Sequence, residues 1–402
     1  MVFDVAIVGG GPAGISTALF LHAVAPHVAE RTVVLEKRKY PRDKFCAGAI
    51  GARAFRKLDA IGVSVDVPSA DVSAVSVQFA AGDRVVERHG LGHVVRRIEF
   101  DHALAKQAAA RGITVREGTA VSGLELGPRS VALWLEGGET VRARTVVGAD
   151  GVAGIVRRAV GLAPSRLRAQ AVEVDTDPSA GDPRSDALHF DFRLRDLNGY
   201  AWDFPTIVGG ERKVCRGVYV ITDRQHEPAR FYLARYLELR GLSIADYRIK
   251  QYAERGFEPG AAMSRPRVIL VGEAAGIDIA SGEGIPQAIA YGQLAATYLS
   301  GALRDGEFGF ADWRHQVRSA GVGKRLRIRH LAYELFFGDR RDLIERVALD
   351  CPALMDVAVR DFAGVAYGPI DVARGLLQLV PQVAEHPSLF TRSLEVLLSR
   401  GR

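Results

Sequence analysis

The 402-residue chain reads as an α/β protein: a Rossmann-type dinucleotide-binding domain, an inserted antiparallel-sheet domain and a helical C-terminal region. Three observations predict this. The N-terminus runs strand, glycine turn, helix in "FDVAIVGGGPAGISTALFLHAVA" and reaches a second β-branched run in "RTVVLEK". Two later strands, "RTVVGADG" and "RVILVGEAAG", end in glycine turns of the same kind. Between them, residues 166–265 alternate apolar and polar positions over longer strands, as a sheet with one open face would.

The elements follow in order. A βαβ start implies parallel strands with crossover helices. Residues 71–95 alternate around Gly82-Asp83 and read as antiparallel strands. "RRIEFDHALAKQAAARG" is a helix closed by Gly112, and "ITVREG" is the next strand. A meander then leads back to "RTVVGADG". "ALHFDFRL", "GYAWDFP" and "KVCRGVYVI" are strands of the inserted sheet, with one helix around "ARFYLARYLELRG". "GEGIPQAIAYGQLAATYLSGAL" is a mostly apolar helix, and helices with breaks near Gly338, Pro352 and Pro369 complete the chain. The nucleotide domain accordingly takes residues 1–70, 96–165 and 266–305. The substrate domain takes 71–95 and 166–265, and the helical region 306–402.

With 48% hydrophobic and 25% charged residues the composition is that of a globular protein. The net charge of +6 is interspersed. It fits an anionic ligand, a weak pull toward acidic membranes or a solvated surface, and no nucleic-acid partner is expected. Cys46, Cys215 and Cys351 show no paired spacing, and the histidines form no ligand cluster, so neither a disulfide scaffold nor a metal is expected. The first strand follows Met1 too closely for a signal peptide, and no run of 18 apolar residues occurs. A cytoplasmic location is the expectation.

The chemistry begins with Gly9-x-Gly11-x-x-Gly14, in which Pro12 and Ala13 open the helix. Gly9 permits the tight turn, Gly11 lets backbone approach a pyrophosphate, and Gly14 lets helix and strand pack closely. The helix N-terminus faces the phosphates with its free N–H groups and positive dipole end. Glu36, followed by Lys37 at the end of the second strand, is placed to accept hydrogen bonds from the adenosine ribose. Only one such fingerprint occurs. The other two glycine turns place Asp150 and Gly151, and Gly272 and Glu273, at strand ends.

In order and spacing, these three stretches resemble the fingerprint, Asp-Gly and Gly-Asp motifs of FAD-dependent group A monooxygenases, whose fold is of the glutathione reductase/PHBH type. Within that superfamily "YPRDKFCAGAIGARAFRKLDAIG", "RRIEFD", "GYAWDFP" and "GEGIPQAIAYGQLAA" resemble the geranylgeranyl reductase family over residues 1 to about 310. The resemblance implies FAD as cofactor. It implies that Glu273, where the family usually has Asp, meets the ribityl or pyrophosphate region. It likewise implies that Arg97 contacts the same region and that Asp150 is a partly structural acid. The helix beginning near Gly284 and Ile285, after Gly282, would aim N–H groups at the flavin N1–C2=O edge. Gly154 replaces the family's usual serine, so one hydrogen bond is absent.

Cys46 holds the place of the family's cysteine beside the flavin's reactive face, with Phe45 and Ala47 departing from the pattern. A thiol of ordinary pKa, about 8.5, is mostly protonated at neutral pH. It could donate a proton, pack against a substrate double bond, or be a buried filler. Cys215 and Cys351 read as inert core. Tyr200, Trp202 and Phe204 alternate on one strand face, which suits either sheet packing or an aromatic substrate wall. In the resembling family this stretch lines the substrate cavity, so Tyr200 and Trp202 join Cys46 as catalytic candidates. Arg42 and Lys44 could meet a phosphate head group or the FAD pyrophosphate, but read first as solvated charges.

The resulting expectation is an FAD-dependent reductase of carbon–carbon double bonds in a lipophilic, isoprenoid-like substrate, by hydride transfer from flavin N5. NAD(P)H, a reductase or ferredoxin would be the transient electron donor. The alternative is a monooxygenase or halogenase acting through a flavin hydroperoxide. For a halogenase, "YAWDFP" keeps one tryptophan and the proline of W-x-W-x-I-P, and no lysine can be placed beside the cavity. The stretch "RHLAYELFFGDRR" suits a peripheral membrane contact or a packed helix.

Overall fold

The computed structural model describes residues 2–163, 166–222, 227–338, 341–365 and 377–378. Two eight-stranded sheets organise the chain. In the first, Val2–Val8 lies parallel between Thr32–Leu35 and Thr140–Gly148. Thr114–Arg116 extends one side and Val268–Leu270 the other. The meander Val121–Leu126, Val131–Leu135 hangs antiparallel from Thr140–Gly148. Both faces of the centre are covered, so Val5, Ala6 and Ile7 are buried in succession rather than alternately.

Helix Pro12–Val24 starts with proline at its first position, where the missing N–H costs nothing. Helix Ile285–Asp305 packs on it, which explains its apolar sequence. The two approach so closely that a β-carbon on Gly292 would stand 2.7 Å from the Thr17 nitrogen. All three glycine turns of the fingerprint series thereby converge at the C-terminal edge of the parallel strands, where ligands of open α/β sheets bind.

The second sheet runs in the order Lys250–Arg255, Arg168–Thr176, Glu211–Ile221, Gly199–Val208, Ala187–Asp191, Ser69–Phe79, Gly82–Val95, Ala49–Gly51. Its pairings are antiparallel except that Ala187–Asp191 runs parallel to Ser69–Phe79. No hairpin joins those two strands, so nothing local dictates their direction. Ala49–Gly51, from the segment that follows the second parallel strand, closes the far edge.

Helix Ala229–Glu238 covers one face of this sheet through Tyr232, Leu233 and Tyr236. The other face was expected to be open; it is roofed. Tyr333 and Phe337 from the region of helix Gly321–Phe336, and Val359 and Ala363 from helix Pro352–Ala363, pack in one core with Tyr200, Trp202 and Tyr219. The approach is close: a β-carbon on Gly51 would collide with the Phe362 carbonyl oxygen. The helical region is therefore part of the compartment, and the break near Pro369 lies outside the described residues. Among the described residues, no helix is long and apolar enough to cross a membrane.

Candidate active site

The first glycine turn is shaped for a dinucleotide. Gly9 holds φ 106°, and a β-carbon on Gly14 would collide with the Gly9 carbonyl oxygen. Gly11 is different: its nearest neighbour would be Arg97 Nη2 at 3.8 Å, so its backbone is bare toward the cavity. Glu36 is buried at the next strand end, where its Oε2 accepts the Gly10 N–H (2.9 Å) and its Oε1 the Arg38 N–H (3.0 Å). Arg97 is held by two bonds to Asp101, 2.7 and 2.6 Å long.

Asp150 accepts the Val156 N–H through Oδ2 (2.9 Å), which caps the short helix Ile155–Ala159. Burial pushes its carboxyl up, against the pull of that N–H. Gly154 lies directly against the Asp150 carboxylate, and a β-carbon there would collide with it. Glu273 binds Lys44 Nζ through Oε2 at 3.0 Å. Asp150 Oδ1 and Glu273 Oε1 are buried without a hydrogen-bond partner among the described residues, and both residues line the cavity. Such acceptors call for a hydroxyl-bearing ligand. With the bare Gly11 turn and the Glu36 carboxylate, they fit the ribose, pyrophosphate and ribityl portions of FAD.

The same cavity, about 1410 Å³, continues from this cradle to the roofed face of the second sheet. Single-ligand pockets run about 300–1,000 Å³, so there is room for a cofactor and a substrate. Its walls include Gly9, Gly11, Pro12, Ala13, Glu36, Lys37, Arg97, Asp150, Gly151, Glu273, Gly282, Gly284 and Ile285. Gly14 and Gly272 stand behind the wall, where they permit close packing; a β-carbon on Gly272 would lie 2.6 Å from that of Ala13. Helix Ile285–Asp305 is entered through Gly284, so its N-terminal turn faces the cavity.

Cys46, Tyr200 and Trp202 line it too. Phe190 meets Tyr200 and Phe204 edge-on at 5.3 and 5.2 Å, so the aromatic strand both packs and forms a wall. Burial pushes the Cys46 thiol up, against the pull of the Arg97 cation, so it is a neutral thiol at pH 7. Cys215 is fully buried in the core behind the wall.

Residues 2–196 match the family model described as an FAD binding domain. A digeranylgeranylglycerophospholipid reductase of Methanothrix thermoacetophila is 30% identical over 83% of this chain and 87% of its own. The chain belongs to the geranylgeranyl reductase family. It is an FAD-dependent oxidoreductase. A menaquinone reductase of Mycolicibacterium smegmatis is 27% identical over 89% of this chain and 90% of its own. The solved structure of a geranylgeranyl bacteriochlorophyll reductase-like protein from Thermoplasma acidophilum superposes with a TM-score of 0.75 at 20% identity, covering 96% of this chain and 99% of its own. A halogenase and a p-nitrophenol 4-monooxygenase share the fold at TM-scores of 0.65 and 0.61.

In this geranylgeranyl reductase-family site three features escaped the sequence reading. Arg42 is not a solvated charge: it is buried between Asp101 (2.9 Å) and Glu36 (3.3 Å) with its guanidinium over the Tyr40 ring. Lys44, 44% exposed, is a lysine on the cavity wall, neutralised by Glu273. Glu254 lies buried in the floor, accepting the Tyr219 hydroxyl at 3.0 Å. Burial, and then the negative charge of Glu273, push its carboxyl up to about 8. Its place in "KQYAERG" gives no sign of this; the only available signal was its two-residue offset from Tyr252 on one strand face.

A buried ion network ties the roof to the cofactor loop. Arg329 binds Asp278 (2.6 Å), Glu283 (2.7 Å) and Asp361 (2.9 Å), and Arg53 binds Glu283 and Asp361. The loop carrying Asp278 and Glu283 leads directly into helix Ile285–Asp305.

Proposed function

We propose that this enzyme reduces carbon–carbon double bonds of a lipophilic, isoprenoid-like substrate. One observation carries the reading: the cofactor cradle opens into an aromatic-walled compartment, and Cys46 lines the cavity at their junction, packed against the cofactor-domain core while its neighbour Ala47 packs against the aromatic one. FAD, when bound, supplies a hydride from its reduced N5. Phe190, Phe192, Tyr200, Trp202 and Phe204 hold an apolar chain and exclude water. The neutral thiol of Cys46 packs against the double bond as a soft, polarisable contact. Ile328 and Leu354 line the cavity yet are 63% and 36% exposed, and so mark an apolar mouth. Exposed Lys324 and Arg327 lie on the same helix as Ile328, which suits peripheral contact with an acidic membrane surface. NAD(P)H or a ferredoxin-type partner serves as transient electron donor in the cytoplasm. The names of the digeranylgeranylglycerophospholipid and menaquinone reductases support the same substrate class.

The test is anaerobic. FAD-loaded protein is reduced with dithionite and mixed with geranylgeraniol under argon. The flavin absorbance is expected to return with the alkene as oxidant. If it returns only when air is admitted, the reductase reading fails, and a long-lived flavin hydroperoxide band with alkene-coupled oxygen uptake would put an oxygenase in its place. Lys44 is the lysine a halogenase would need, but its pairing with Glu273 leaves it a poor candidate.

A further inference from the structure

Alkene reduction needs an acid as well as a hydride, and the floor of the cavity holds one that the cofactor cradle does not use. Glu254 sits on strand Lys250–Arg255 beside Arg168–Thr176, with its side chain buried and lining the cavity. Tyr219 donates its hydroxyl to Oε2 and so fixes the orientation of the carboxyl group. Tyr200 stacks on Tyr219 at 5.2 Å, but its own hydroxyl is committed to the Ser281 carbonyl oxygen at 2.7 Å. Tyr200 therefore positions Tyr219 rather than competing for Glu254.

A glycine lets the cofactor loop pack closely against this pair. A β-carbon on Gly282, at φ 65°, would stand 3.1 Å from the Tyr219 ring, 3.2 Å from the Tyr200 hydroxyl and 3.5 Å from Glu254 Oε2. Residue 282 belongs to the loop that leads into helix Ile285–Asp305, and it lines the cavity with Glu254, so the acid lies where the floor meets the cofactor end.

The groups facing Glu254 favour the neutral acid. Burial comes first, then the carboxylate of Glu273 from the glycine turn; Asp278 from the loop acts in the same direction. The Tyr219 hydroxyl and Lys44 act against them, but Lys44 is bound to Glu273 at 3.0 Å. No Lys or Arg among the described residues is paired with Glu254. An acid poised near the working pH is the efficient one, whereas the neighbouring Cys46 thiol is pushed away from that range.

We propose that Glu254 is the acid that protonates the substrate double bond, anchored by Tyr219 on the floor of the cavity. The inference rests on the proposed alkene reduction. The step balances: an electron pair and hydrogen arrive as hydride from the reduced cofactor and form a C–H bond at one alkene carbon as the π bond breaks. The Glu254 O–H bond breaks, and its proton forms the C–H bond at the other carbon. The substrate is reduced by two electrons, the cofactor is oxidised, and the carboxylate, held by the Tyr219 hydroxyl, takes a new proton from solvent.

Two measurements test it. In cofactor-free protein, infrared difference spectra are expected to show a protonated-carboxyl band lost with a midpoint of about 8 and absent from Glu254→Gln. If Glu254→Gln loses no such band relative to wild type, the proposal is overturned; any band from buried Asp150 and Glu173, also pushed up, is common to both spectra. In dithionite-reduced, FAD-loaded protein mixed with geranylgeraniol under argon, Glu254→Gln is expected to slow flavin reoxidation on the order of 10²-fold or more. Glu254→Gln that still binds FAD and reoxidises at the wild-type rate overturns this inference and leaves alkene reduction standing. Wild-type protein that geranylgeraniol does not reoxidise overturns alkene reduction and this step together.

Discussion

Replacing Arg329 by methionine removes the centre of the ion network under the cofactor loop. Its two terminal nitrogens reach Asp278, Glu283 and Asp361 at 2.6, 2.7 and 2.9 Å. Methionine keeps much of the length and none of the charge. Glu283 and Asp361 would still have Arg53, whereas Asp278 would keep the Ser281 hydroxyl and the Ala280 N–H at 2.8 Å. Breaking a buried ion pair costs about 3–5 kcal/mol, and the remaining partners put the expectation near 3 kcal/mol. At about 2.1 cal/mol/K of unfolding entropy per residue, a chain this long melts roughly 4 °C lower. The loop also sets the start of helix Ile285–Asp305, so FAD binding weakens as well. About 1.4 kcal/mol of that cost, expressed in the loop, raises Kd tenfold. The assay is a thermal melt with and without FAD, beside a flavin-fluorescence titration. Burial works against the Asp361 carboxylate, but Arg53 and Arg329 hold it below its ordinary range. A lowered folded-state pKa contributes stability that is present above the unfolded value and is lost as pH falls through the folded one. The variant should therefore lose less stability than wild type on acidification. A melting point and Kd equal to wild type would refute the role given to the network.

Three further outcomes follow from the same geometry. Gly14→Ala places a β-carbon against the Gly9 carbonyl oxygen, so FAD binding should fall at least tenfold in an otherwise folded protein, read by flavin retention on gel filtration and circular dichroism. Cys46→Ala should keep FAD binding while alkene reduction slows; an unchanged rate would make the thiol a filler. Glu273→Gln removes a negative charge that raises Glu254, so the carboxyl titration should move below about 8. Because a raised carboxyl pKa is a folding penalty that grows as pH rises from the unfolded value of 4.5 to about 8, the variant should also lose less stability across that window.

What could be read from the chain was whatever backbone geometry alone demands. Gly9, Gly11 and Gly14 announce the cradle because no other residue permits that turn, that bare backbone and that helix contact together. Acids at strand ends, Glu36, Asp150 and Glu273, follow from the parallel-strand pattern. The features that were missed depend on what covers them. Glu254 is an unremarked polar residue until the Asp278–Gly284 loop closes over its strand, and Arg42 looks solvated until Asp101 arrives from a helix 59 residues away. Amphipathic helices after residue 310 carry no label for the surface they cover, so their role as a roof over Tyr200 and Trp202 emerges only from packing. The parallel pairing of Leu188 with Val75 is likewise a long-range choice that no turn signals.

The most direct test of the central claim is the mass of the product. Geranylgeraniol incubated with FAD-loaded enzyme and dithionite under argon should gain two hydrogens at a double bond, and in heavy water both should be carbon-bound deuterium, because the flavin N5–H and the acid proton both exchange with solvent. Unchanged substrate under argon, with a product heavier by an oxygen atom once air and a nicotinamide are supplied, would contradict it.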